Sequence, residues 1–131
     1  MLTKKESYNV AVVGATGIVG ESLLDILYSR RFPISSIHAV ASTKSKGSKA
    51  KFGDQLLTVE SLDEFNFTDI DIAFFSAGSS VSKEYATKAT TQGCIVIDNT
   101  SEFRYEQDIP LVVPEVNPQD IDLYKHKNII A

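Results

Sequence analysis

Hydrophobic and polar positions alternate between two rhythms along this chain. Residues 8–13 (YNVAVV), 36–41 (SIHAVA), 70–75 (IDIAFF) and 94–98 (CIVID) are short apolar runs rich in β-branched residues. Such runs read as strands covered on both faces. Residues 18–28 instead place apolar side chains at 19, 23, 24, 27 and 28, one face of a helix, with stop signals at Arg30, Arg31 and Pro33. A second helix is predicted over 81–92, with Gly93 as its C-cap. Residues 42–53 are polar and basic with two glycines and read as a surface loop, and 55–59 as a short edge strand. Residues 111–113 are extended between Pro110 and Pro114, 118–125 form a short helix, and 128–131 begin another strand.

Strand, helix and strand in repeated order predict an α/β fold, a doubly wound parallel sheet with helices on both faces. No internal repeat, low-complexity tract or linker interrupts it, so residues 1–131 read as one domain. The last strand has no covering helix after it. The expectation is therefore a fragment of a longer enzyme, with an apolar patch left open.

Composition narrows the class. The 131 residues are 43% hydrophobic and 23% charged, the make-up of a soluble globular domain. With 13 Lys plus Arg against 17 Asp plus Glu, the net charge of −4 provides no general attraction for nucleic acid. The polar start lacks the apolar stretch of a secretory signal, and no apolar run approaches a membrane span. One cysteine, Cys94, allows no internal disulfide. A cytoplasmic protein without membrane or nucleic-acid partners is the expectation.

The candidate chemistry begins at Gly14–Gly20, GATGIVG, between a predicted strand and a predicted helix. That context makes a Rossmann-type dinucleotide site. Gly14 allows the turn off the strand, Gly17 leaves room for a pyrophosphate, and Gly20 lets the helix pack closely on the sheet. Backbone amides and the helix dipole attract the phosphates, and Thr16 adds a hydroxyl. The second strand ends at Ala41 and is followed by Ser42, Thr43, Lys44, Ser45 and Lys46, with no acid before Asp54. Hydroxyls and a cation suit a ribose 2′-phosphate, so NADP is favoured over NAD.

Further motifs occur in order: VASTKSKG (Val40 to Gly47), FFSAGSS (Phe74 to Ser80), IDNTSEFR (Ile97 to Arg104) and PLVVPEVN (Pro110 to Asn117). Together with GATGIVG they make residues 8–131 resemble the N-terminal portion of aspartate-semialdehyde dehydrogenase. That family reduces aspartyl 4-phosphate to aspartate semialdehyde with NADPH, through a cysteine thioester, in lysine, threonine, methionine and diaminopimelate biosynthesis. A histidine is the acid and base. The resemblance implies that Thr16, Gly17, Ile18 and Val19 lie against the cofactor pyrophosphate. Ser42, Thr43, Lys44 and Ser45 would face the 2′-phosphate, and Ser76, Ala77 and Gly78 would line the nicotinamide side of the cleft. Arg104 would bind the phosphoryl group of the acyl phosphate, where a permanently charged fork is suited to two oxygens. The family often has Arg where Lys44 stands. Lys keeps the charge and loses the fork.

The nucleophilic cysteine of the family lies just past residues 128–131, so this chain holds no catalytic residue and is expected to be inactive by itself. The full-length protein is expected to be a homodimer. Cys94 opens a buried strand and reads as a small hydrophobe. His38 reads as structural, and His126, between two lysines, as part of a surface turn. Glu60, Asp63, Glu64, Asp69 and Asp71 show no metal-ligand spacing and read as a solvated face. Extended short-chain dehydrogenases share the glycine spacing but need Tyr-x-x-x-Lys, and Tyr85 and Lys88 are one residue too close. N-acetyl-glutamyl-phosphate reductase is the nearer alternative, and a non-catalytic NADP-binding module a third. DNTSEFR followed by PLVVPEVN favours the aspartyl enzyme.

Overall fold

In the computed structural model, which describes residues 4–131, strand β1 (Tyr8–Val13) occupies the middle of the sheet. Val10, Ala11, Val12 and Val13 have no exposed surface because both faces are covered. Val10 and Val12 meet Leu24 and Leu27 of helix α1 (Ile18–Ser29) on one side. Ala11 and Val13 join the cluster holding Ala86 and Ala89 of helix α2 (Ser79–Thr91) on the other. The two-residue alternation of a strand thus separates the two layers.

Parallel to β1 run β2 (Ile34–Ala41) on one side and β6 (Ile72–Phe75) on the other. Outside them lie β5 (Glu60–Ser61), β7 (Ile95–Asp98) and β8 (Ile129–Ile130). The order is β5-β2-β1-β6-β7-β8, all parallel. Numbered by chain order within this sheet, that is 3-2-1-4-5-6, the doubly wound arrangement whose direction reverses between β1 and β6. Ligands sit beyond the carboxyl ends of the strands at that reversal.

Both helices bury residues spaced four and three apart: Gly20, Leu24 and Leu27 in α1, Ser82, Ala86 and Ala89 in α2. The small side chains of α2 let it lie close to β6 and β7, over the stacked rings of Phe67 and Phe75. On the α1 side, an apolar cleft of about 390 Å³ opens over β6 and β7, lined by Ile72, Phe74, Ile95, Ile97 and Ile130 among others.

The expected strands and helices occur with shifted ends, but residues 42–53 are corrected. They contain β3 (Lys49–Phe52), which pairs antiparallel with β4 (Gln55–Thr58) across Gly53 and Asp54. The lysines at 49 and 51 mask the alternation. Ala50 and Phe52 between them pack on the α1-side cluster. The expected α-helix over 118–125 is a 3-10 helix, Pro118–His126. The two-residue strand β5 also escapes the pattern, being too short to show a period.

Beneath the sheet, Asp71 joins the amino ends of β1 and β6. Its carboxylate accepts Lys5 Nζ at 2.6 Å and the Asn9 amide at 2.8 Å, while Asp71 N–H donates to Asn9 O at 2.9 Å. Partial burial alone would raise its pKa. The Lys5 and Asn9 donors outweigh that and hold the carboxyl below its usual value. A depressed folded-state pKa stabilises above the unfolded value and stops doing so as pH falls through the folded one. Asp71→Asn should therefore cost about 1 kcal/mol near neutral pH, and the gap to the unmodified chain should close below about pH 4. Urea unfolding across pH checks this. A gap that persists in acid would show that charge plays no part.

Candidate functional site

The turn between β1 and α1 is built by close approach. Gly14 has φ 95°, and a methyl group there would stand 2.8 Å from the Ser76 carbonyl carbon. A methyl at Gly20 would lie 2.0 Å from the Gly14 carbonyl oxygen. The turn is held from beneath: Gly14 and Ala15 N–H both donate to Val40 O, at 2.8 and 3.2 Å. Gly17 differs, since a side chain there would meet only Gly14 O at 3.4 Å. It faces space the protein does not fill.

Gly17 caps α1 without a side-chain hydrogen bond, and the Glu21 amide is the first in the helix to reach a carbonyl, Gly17 O at 2.9 Å. The amides of Ile18, Val19 and Gly20 thus lack intrahelical acceptors at the positive end of the dipole, the arrangement that receives phosphate. Ile18 is 87% exposed directly beside them. An apolar side chain so open at a helix start suits contact with a ligand.

At the carboxyl end of β2, a crevice of about 700 Å³ brings together Thr16, Lys44 and Ser45 with Ser48, Lys49 and Lys51 of the hairpin. Glu21 and Asp25 form its α1 wall. Lys46 is turned to Glu64, 2.9 Å away. Ser42 caps the short 3-10 turn Thr43–Ser45, its carbonyl accepting the Ser45 amide at 2.9 Å. Thr43 is directed elsewhere: its hydroxyl lies 3.0 Å from both Ser61 Oγ and Asp63 Oδ2. The hairpin's share of this crevice was hidden from the sequence because 49–52 reads as loop; the signal was the alternation of Ala50 and Phe52 with the two lysines.

Ser76, Ala77 and Gly78 follow β6 directly against the glycine loop. Ser76 N–H donates to Val13 O at 2.9 Å, and Gly78 caps α2. Beyond β7, residues 99–104 form the next loop at the same sheet edge. Arg104 is exposed there, its Nη2 donating to Asn99 O at 3.3 Å. Val19, Asp98 and Asn99 share a second cleft of about 400 Å³ between the start of α1 and this loop. Gly14 and Ser76 thus meet at the switch point, Asn99 shares a cleft with Val19, and 42–45 lie one strand over.

Three other titratable side chains are held by burial or by a partner. Burial pushes the Cys94 thiol up to about 12, so it is no thiolate near neutral pH. The Tyr85 hydroxyl donates to Asp63 at 2.7 Å, and this bond, with burial and nearby carboxylates, raises the phenol to about 12. An activated tyrosine needs the opposite. His38 pairs with Glu60 at 2.8 Å and packs on the Phe65 ring. No His, Cys, Asp and Glu cluster able to hold a metal occurs among the described residues. No helix among them is long and apolar enough to cross a membrane.

Comparison with known proteins agrees with this fold. The family described as "Semialdehyde dehydrogenase, NAD binding domain" matches residues 9–124. Aspartate-semialdehyde dehydrogenase of Rickettsia typhi is 55% identical over 99% of this chain and 38% of its own length. The crystal structure of aspartate semialdehyde dehydrogenase II from Vibrio cholerae, complexed with ASA, superposes with a TM-score of 0.92 at 46% identity, covering 95% of this chain and 41% of that one. The Candida albicans enzyme, solved with NADP, gives 0.78 at 29% identity over 95% of this chain and 42% of its own. The chain thus spans little over a third of the curated relatives it matches.

The two later glycines of the loop should separate experimentally. Gly20→Ala must move α1 off the loop and should cost roughly 2–4 kcal/mol of stability, while Gly17→Ala should stay within about 1 kcal/mol. Equal losses in thermal unfolding would contradict this division of labour.

Proposed function

The chain belongs to the semialdehyde dehydrogenase family as its NAD-binding domain, and on that footing we propose that residues 1–131 are the NADP-binding domain of an aspartate-semialdehyde dehydrogenase. The intact protein would reduce aspartyl 4-phosphate to aspartate semialdehyde with NADPH and release phosphate. The observation that carries the reading is the row of amides at the start of α1 without intrahelical acceptors, set at the switch point beside Lys44 and Ser45.

NADPH would supply hydride, and this chain would hold it. The amides around Thr16 to Val19 would take the pyrophosphate, with Gly14 keeping the turn open. Lys44 and Ser45 would take the 2′-phosphate, with Ser42 shaping their turn. Thr43 would brace it through Asp63. Ser76, Ala77 and Gly78 would wall the nicotinamide side, and Arg104 would bind the phosphoryl group of the acyl phosphate. The nucleophilic cysteine belongs to no position of this sequence. The homodimer, the acyl phosphate and a cytoplasmic location are part of the same proposal. The Candida albicans relative solved with NADP supports the choice of cofactor.

Reversing the charge at the ribose end tests the cofactor. In the intact protein, Lys44→Glu should weaken NADPH about tenfold or more, or about 1.4 kcal/mol, and leave NADH within about twofold. Calorimetric titration with both dinucleotides reads this directly, and equal losses would remove Lys44 from a 2′-phosphate site. The 131-residue chain alone should turn over no acyl phosphate, because its single thiol is buried and protonated. Turnover above background by the purified chain would overturn that.

A further inference from the structure

Asp98 has a place in the site that the cofactor reading leaves unused. It ends β7 opposite Phe75, the last residue of β6, and is 4% exposed, the one buried carboxylate among the described residues. Oδ1 accepts Ser82 Oγ at 2.8 Å and the Thr100 amide at 3.0 Å, and Oδ2 accepts Thr100 Oγ1 at 2.8 Å. No ion pair reaches it among the described residues. A carboxylate withdrawn from water in this way is tolerable only while its donors stay in place.

Those donors join two loops. Ser82 lies on the buried face of α2, and its amide donates to Gly78 O at 3.1 Å, the end of the 76–78 loop. One turn earlier, Ser79 Oγ lies 3.1 Å from Ser101 Oγ. The end of β7 and the loop after it are thus fastened to the first turns of α2 at two points, next to the loop after β6. Arg104 Nη2 donates to Asn99 O, the carbonyl next to Asp98. The backbone that Asp98 shapes is the backbone that seats the guanidinium. Packing alone does not require this: α2 closes on the sheet with alanine at positions 86 and 89 of the same face. A buried polar network specifies one turn geometry where an apolar contact would permit several.

We propose that Asp98, with Ser82, is a positioning residue for Arg104, setting the 98–104 turn so that the guanidinium meets the substrate's phosphoryl group beside the cofactor loop. This rests on the assignment of Arg104 to that phosphoryl group. Ser82→Ala removes one donor and leaves the turn its other two. The test is the intact protein in the reverse direction, with inorganic phosphate as the varied substrate.

Ser82→Ala should raise KM for phosphate about tenfold, with kcat and the KM for the dinucleotide within about twofold. In an Arg104→Ala background, Ser82→Ala should lower kcat/KM for phosphate no further, since the group it positions is gone. A merely structural serine would impair the two backgrounds alike, and that result, or an equal rise in both KM values, would overturn the proposal. So would an unchanged phosphate KM in Ser82→Ala when Arg104→Ala is defective. If Arg104→Ala itself leaves phosphate kinetics untouched, the assignment of Arg104 fails, and this inference with it.

Discussion

Helix α1 rests on the first turn of the glycine loop with no room for a methyl group, its Gly20 facing the Gly14 carbonyl at van der Waals limits. Gly14 in turn faces the backbone of Ser76. Three segments that are distant in sequence are thereby brought to one point. Each contact is backbone against backbone, so no rotamer can relieve a misfit. The exposed amides of the helix start point where they do because the helix cannot approach from any other angle.

From that contact the two layers diverge in character. The α1 layer uses leucines against Val10 and Val12, and its first amides have no intrahelical acceptors. The α2 layer uses alanine and serine and carries a polar connection at the end of β7 to the loop that holds Arg104. A fold that binds dinucleotides with one helix start thus has its second helix available for organising the neighbouring loop.

The parallel sheet, both α-helices and the glycine loop were legible in the sequence because each rests on a local rule: buried runs for strands, three-and-four spacing for helices, glycine where backbones touch. The hairpin was hidden because Lys49 and Lys51 raise the polarity of a strand whose inward residues are only Ala50 and Phe52. Strand β5 was hidden because two residues have no period. Thr43 was legible as a hydroxyl near the ribose end but not in its direction, which depends on Asp63, twenty residues on. Asp98 and Ser82 belong to the same kind: sixteen residues apart, their bond is a product of register between β6 and β7 rather than of either segment's pattern.

The crossover from β2 to β5 is made by a hairpin where the fold commonly places a helix. The hairpin forms a separate two-stranded sheet, and its hydrogen-bond ladder is not shared with the six-stranded one. Ala50, Phe52 and Leu57 hold it instead against the core beneath α1. The wall beside Lys44 and Ser45 is therefore joined to the rest of the molecule through side-chain packing rather than through strand pairing.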